Sequence, residues 1–285
     1  MKTFSAPRGT ETLQTITCPL CGEAAWRPFL HGDGFHFVRC VRCAVVYQNP
    51  RPSQADLRRR YSAEYFSYEL SNEASFFKLM ELSLGDVDFD GLTAGLRPRR
   101  FLDIGCATGM LLSAMQAKQW EVQGVDLCRE SAEYGTKTRG VPIFAGTIEE
   151  AHFGGGSFDA VHFSHLIEHV TDPRGLLTEV RRILKPNGYA VVTTPNVDGF
   201  QARLFGSRWR SAIPDHLTLF SPRTLRRLLD ETGFGVQKMI TWGGLAQGTA
   251  PGFIKKPADV LAKKLGCGDV MLFLARARPG AASVL

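Results

Sequence analysis

The stretch Arg100-Phe-Leu-Asp-Ile-Gly-Cys-Ala-Thr-Gly109 decides how the rest of the chain is read. Phe101, Leu102 and Ile104 form a short apolar run that stops at a glycine-bearing turn, the pattern of a buried strand feeding a helix. A second run, Glu121-Val-Gln-Gly-Val-Asp126, ends in an acid twenty-three residues after Asp103. The alternation continues with runs at 141–144 and 158–163, a helical stretch over 173–184 and a run at 189–194. Short apolar runs separated by helical segments predict parallel βαβ units in a doubly wound α/β sheet, with ligand at the carboxyl ends of the strands. An acid in the position of Asp126 suits ribose hydroxyls. The dinucleotide pattern G-x-G-x-x-G fails, because Ala107 and Met110 stand where the second and third glycines belong. A pyrophosphate would therefore lack its close backbone approach.

These residues resemble motif I of the class I S-adenosylmethionine-dependent methyltransferases. Further stretches fit the same family in order and spacing: Gly124-Val-Asp126, Gly146-Thr-Ile-Glu149, Gly156-Ser-Phe-Asp-Ala-Val161, Glu168-His-Val-Thr-Asp-Pro173 and Leu184-Lys-Pro-Asn-Gly-Tyr189. The resemblance covers most of residues 99–240 and implies a Rossmann-like, doubly wound, seven-stranded sheet, S-adenosylmethionine as cofactor, and methyl transfer. It also implies Asp103, Gly105, Cys106 and Gly109 at the methionine part of the cofactor, Asp126 on the ribose, and Leu127 over one adenine face. Thr147 stands where the family often has an Asp for the adenine amino group, so that contact falls to Thr147 and the backbone around Ile148. Ser164 and Tyr65 complete the expected cofactor set, Tyr65 and Phe66 as rings that close over the sulfonium.

Methyl transfer needs alignment, exclusion of water and, for some acceptors, a base. Ser164-His165-Leu-Ile-Glu168-His169 follows the fourth strand, and on a helical turn His165, Glu168 and His169 would share one face. Three readings stay open: a Glu-His pair that ties the segment to a neighbouring loop, a histidine base, or a divalent metal held by His165, Glu168, His169 and the distant His216. The last resembles the Glu-x-x-Glu-His…His arrangement of ubiquinone-pathway and small-RNA 2′-O-methyltransferases, with His165 in place of the first Glu. The string also matches the H-x-x-E-H zinc peptidases, but its place after a methyltransferase strand disfavours peptidase chemistry. His165, His169 and His216 are the candidate bases; His216, in Pro214-Asp-His-Leu-Thr-Leu-Phe-Ser-Pro222, also reads as a hydrogen-bonded loop anchor.

At the front, Cys18-x-x-Cys21 and Cys40-x-x-Cys43 are separated by eighteen residues, the spacing of a four-cysteine zinc site. Four thiolates close a tetrahedron and leave no open position, so the expected zinc is structural. Zinc-ribbon-bearing methyltransferases of natural products and sugars are the members this chain resembles. The reading divides the chain into a zinc ribbon over 1–55, a helical linker and lid over 56–96, and a methyltransferase domain over 97–285 with substrate-side insertions at about 199–222 and 242–268.

The net charge of +6 over 285 residues splits unevenly. Residues 1–60 carry 9 Lys and Arg against 4 Asp and Glu, residues 61–198 carry 12 against 19, and residues 199–285 carry 13 against 5. The basic end, with Arg203, Arg208, Arg210, Lys255 and Lys256, is read either as a solvated face or as the receiver of an anionic or carrier-bound small-molecule substrate. The competing function is a nucleic-acid methyltransferase or reader gripping phosphates with the ribbon. It is disfavoured, because Ser164-His-Leu-Ile stands where base-amino methyltransferases place Asn/Asp-Pro-Pro-Tyr/Phe/Trp. With no secretory segment and no run of ~18 apolar residues, the expected location is the cytoplasm.

Overall fold

A computed structural model describes residues 11–243, 260 and 262–279 of the chain. Most of the expected insertion at 242–268, with Lys255 and Lys256, lies outside the described residues. The N-terminal part holds β1 (Leu13–Gln14), β2 (Trp26–Gly32), β3 (Phe35–Cys40), β4 (Val46–Gln48) and β5 (Arg51–Pro52). Three helices follow, α1 (Gln54–Arg59), α2 (Ala63–Asp86) and α3 (Phe89–Thr93). Strands and helices then alternate: β6 (Arg100–Ile104), α4 (Met110–Ala117), β7 (Glu121–Asp126), α5 (Arg129–Tyr134), β8 (Ile143–Ala145), β9 (Phe158–Ser164), α6 (Pro173–Ile183) and β10 (Leu184–Pro195). The chain closes with α7 (Phe200–Phe205), β11 (Thr218–Leu219), α8 (Pro222–Glu231), β12 (Phe234–Trp242) and β13 (Val270–Ala277).

The main sheet has seven strands in the order β12-β13-β10-β9-β6-β7-β8. The five strands from β8 to β10 run parallel, and β13 is antiparallel to both β10 and β12. The expected Rossmann-like doubly wound sheet is thus present. Its central strands are buried on both faces: every residue from Phe158 to Phe163 is buried, Asp159 and His162 included. The fifth parallel strand is longer than the apolar run at 189–194, because the chain passes from α6 straight into β10 with a register irregularity between Leu184 and Tyr189.

Helix starts follow local chemistry. Asp172 caps α6 by accepting from the Gly175 amide at 2.9 Å, with Pro173 at the first helical position. Ser221 and Thr224 form a reciprocal capping box ahead of α8, again with a proline at its first position.

The small N-terminal sheet is not self-contained. It has four strands in the order β11-β4-β3-β2, and β11 comes from the methyltransferase region: Thr218 pairs with Tyr47 and Leu219 with Val46. One apolar cluster runs without a break from Cys18, Leu20, Val38 and Tyr47 to Leu176, Phe220, Leu225 and Leu228. About fifty residues bury too little surface to fold unaided, and here the fragment shares its core with the main sheet.

Candidate active site

The turn between β6 and α4 needs its glycines. Gly105 and Gly109 have φ of +70° and +77°, and a Cβ on Gly109 would lie 2.9 Å from Val141 Cγ2. The Gly105 amide donates to the Val125 carbonyl at 2.8 Å, which holds the turn against the end of β7. At that end Asp126 accepts from the Ala107 amide and the Cys128 amide, both at 2.8 Å. Burial pushes its carboxyl up to about 6. Asp103 is buried beside it: His162 Nδ1 donates to Asp103 Oδ1 at 2.7 Å, while Oδ2 has no hydrogen-bond partner among the described residues.

Other expected cofactor residues sit around this turn. Leu127 is half-buried next to Asp126, and Ser164 is half-buried at the end of β9. The Thr147 hydroxyl accepts from the Glu150 amide at 3.2 Å, its own amide donates to Glu150 Oε2 at 2.8 Å and its carbonyl accepts from the Ala151 amide at 3.1 Å, while the Ile148 side chain is buried in the core. The Cys106 side chain packs into the core, and a Cβ on Gly124 would lie 2.6 Å from its sulfur. Only the backbone of Cys106 faces the turn, its amide bonding to the Val125 carbonyl at 3.3 Å.

Above the turn lies α2. Tyr61 and Tyr65 pack edge to face with centroids 5.0 Å apart, and both phenols are raised, first by burial and then by neighbouring charges that include Asp126. Glu69 is buried and accepts from the Ser131 hydroxyl of α5; burial, then the charge of Asp126, push it up to about 8. Glu73 accepts from Thr108 Oγ1 at 2.7 Å and from Arg139 at 2.8 Å, which pins α2 to the glycine turn. Glu69 and Glu73 were missed in the sequence, yet a signal was there: Tyr65, Glu69 and Glu73 recur every four residues, one stripe of a helix.

On the other side of β9, His165 to His169 do not make the expected helical turn. His165 takes a left-handed φ of 52°, and only 167–169 form a turn. Even so, His165 Nδ1 donates to Glu168 Oε1 at 3.0 Å, and Thr194 Oγ1 donates to Glu168 Oε2 at 2.9 Å. Glu168 is fully buried, but the hydrogen bond and charge of His165, with smaller contributions from His169 and His216, outweigh burial and hold it down to about 2. His169 and His216 stack edge to face with centroids 4.7 Å apart. His169 Nδ1 donates to the Asp215 carbonyl at 2.9 Å and His216 Nδ1 to the Ser211 carbonyl at 2.8 Å, which leaves each Nε2 as a lone-pair donor. One ligand atom from each of Glu168, His169 and His216 fits within 4.8 Å of the others. His165 is outside that group, with a side chain 37% exposed. Burial, first, holds His216 down to about 3, so its ring is neutral.

The four ribbon cysteines converge. Their sulfurs lie within 4.8 Å of one another, with Cys18–Cys43 at 3.4 Å and Cys21–Cys40 at 3.6 Å. A tetrahedral zinc with bonds of ~2.3 Å places its sulfurs about 3.8 Å apart, so the quartet has the right size and donor set.

The sheet order, the glycine turn and Asp126 define a class I S-adenosylmethionine-dependent methyltransferase. A family model described as a methyltransferase domain matches residues 88–238, more than half of the chain, and the chain belongs to that family. Curated relatives named ubiquinone biosynthesis O-methyltransferase include that of Chromobacterium violaceum, 26% identical over 60% of this chain and 79% of its own length. That of Paracidovorax citrulli is 36% identical over 44% of this chain and 55% of its own length. Among solved structures, a chain of the complex between the Haloferax volcanii Trm112 methyltransferase activator and a methyltransferase superposes with a TM-score of 0.57 at 17% identity, covering 76% of this chain and 95% of that one. A SAM-dependent methyltransferase from Archaeoglobus fulgidus gives 0.53 at 21%, covering 74% and 99%. At these identities the structural likeness concerns the fold.

Proposed function

We propose that the enzyme methylates a hydroxyl of a small-molecule acceptor, with His165 as the base. The observation that carries this is the contact between His165 and Glu168: a buried carboxylate fixes Nδ1–H and leaves Nε2 on the open side, the arrangement of a base and the group that orients it. The left-handed backbone at His165 is the kind of outlier that persists at working sites. Relatives named as O-methyltransferases agree with an oxygen acceptor.

S-adenosylmethionine supplies an electrophilic methyl group when bound. Asp103, Gly105 and Gly109, with the Cys106 backbone, are the residues for its methionine part; the unpartnered Asp103 Oδ2 is an acceptor suited to an ammonium donor. Asp126 would accept from ribose hydroxyls, Leu127 would cover adenine, Thr147 and Ile148 would offer backbone to its amino group, and Ser164 lines the floor. Tyr65 closes the site from α2 and excludes water. His165 removes the acceptor's proton as the oxygen attacks, and Glu168 steadies the resulting imidazolium.

A second reading has its own observation. Glu168 with the two Nε2 atoms of His169 and His216 is a donor set suited to a divalent cation, which would supply Lewis-acid activation of the acceptor oxygen. In the ribbon, Cys18, Cys21, Cys40 and Cys43 would hold a structural zinc. The nucleic-acid alternative loses support from the charges in and just after the ribbon: Arg42 pairs with Glu23, and beyond residue 55 Arg58 pairs with Glu150 and Arg60 with Glu11 and Asp215. Arg210 donates through Nε to the buried carboxylate of Asp269 at 2.5 Å, which ties part of its charge to the fold. Among the described residues no helix is long and apolar enough to cross a membrane.

Screening demethylated-cofactor release against hydroxylated metabolites, sugars and carrier-linked acids tests the proposal. Turnover with hydroxyl acceptors supports it, whereas turnover confined to amines or RNA overturns it.

A further inference from the structure

The loop that carries His216 is held from both sides. From the main domain, the Leu217 and Thr218 amides donate to the Glu168 carbonyl at 2.7 and 3.1 Å, and His169 reaches the Asp215 carbonyl. From the N-terminal side, β4 pairs with β11 and the Gln48 amide donates to the Leu217 carbonyl at 2.9 Å. The Gln48 side chain then goes further. Its buried carboxamide nitrogen lies 3.4, 2.8 and 2.5 Å from the carbonyls of Ile213, Pro214 and His216. Arg60 adds bonds to the Pro214 carbonyl at 3.3 Å and the Asp215 carboxylate at 2.5 Å.

Carbonyls turned inward together repel and cannot be left dry without donors. One amide with two protons, 2% exposed, answers this crowding. No apolar residue of the same size could do so.

We propose that Gln48 is a positioning residue for the reaction: strand β4 of the ribbon uses it to gather the 213–216 carbonyls and thereby set His216 against His169 and Glu168. The ribbon is then part of how the active site is built. This rests on the reading of the Glu168, His169 and His216 cluster as functional, and the test separates the two.

Full-length zinc-loaded protein is compared with Gln48→Leu and Gln48→Glu, neither of which can donate as a carboxamide does. Hydrogen exchange should quicken at the Leu217 and Thr218 amides at least ~5-fold, the scale of losing a buried donor. His216 should become reactive to diethyl pyrocarbonate by peptide mass spectrometry. Exchange in β6 and β9, and S-adenosylhomocysteine affinity by calorimetry, should stay as in the wild type, which a general loss of fold would not allow. If Gln48→Leu does not fold, Gln48→Glu, which keeps the size, is read alone. Wild-type exchange at Leu217 and Thr218 with an unreactive His216 overturns the proposal. His216→Ala is assayed separately for methyl transfer: full turnover there, with a loosened loop in the Gln48 variants, overturns the catalytic part and reduces Gln48 to a clamp.

Discussion

His165 leaves β9 in a left-handed conformation and returns its Nδ1 to the buried carboxylate of Glu168, three residues on, at 3.0 Å. His169, the immediate neighbour of Glu168, faces His216 instead. Two histidines drawn from one short segment therefore serve different partners.

If His165 is the base, His165→Ala should lower kcat by ~10²–10⁴ and leave S-adenosylhomocysteine affinity unchanged. Chelators should then have no effect on the wild type. Activity abolished by EDTA and restored by a divalent cation would instead favour the cluster of Glu168, His169 and His216.

Glu69 gives a pH signature. Its folded value of about 8 lies above its ordinary 4.5, so the native chain keeps a proton that the unfolded chain has released. Stability from this group is present at low pH and is lost as pH rises toward 8. Asp126, raised to about 6, acts in the same direction at lower pH, where His216, lowered to about 3, opposes it. Above about pH 6.5 Glu69 acts alone among these three. The melting temperature of the cofactor-free protein should therefore fall between about pH 6.5 and 8.5, and Glu69→Gln should flatten the curve. A wild-type profile already flat in that range would contradict the assignment.

Elemental analysis should find one zinc per chain, and Cys18→Ser should lose it. Because the ribbon shares its core with α6 and α8, the same variant should melt earlier as a whole rather than shed a separate early transition. Two resolved transitions in calorimetry would argue against the shared core.

Gly124→Ala tests packing under the site. The added methyl would meet Cys106 Sγ and Leu112 Cδ1 at 2.6 Å each, an overpacking that costs about 1–3 kcal/mol. Chemical denaturation should show that loss, and Cys106→Ala in the same chain should recover part of it.

The sheet was legible because Phe101 to Ile104 and Phe158 to Phe163 are buried on both faces and so are mainly apolar, broken only by Asp103, Asp159 and His162. The cysteine quartet was legible from spacing alone. His165 was found but given the wrong backbone, since i, i+3 and i+4 spacing on a helix and a tight left-handed turn both bring its ring to Glu168. Gln48 had no signal: it is one polar residue in a three-residue strand whose partner strand pairs Thr218 with Tyr47, far along the chain, and only the folded chain brings 213–217 to it. The direction of the Cys106 side chain, into the core, was not legible from a motif in which it simply follows Gly105.

The pairing of β4 with β11 also bears on how such enzymes can be recombined. A cut near residue 55, where the sequence changes character, would leave the catalytic part with an orphaned two-residue strand, and a transplanted ribbon with an open edge. An exchange that works would have to carry residues 211–220 along with the ribbon, so the unit inherited together is discontinuous in the chain.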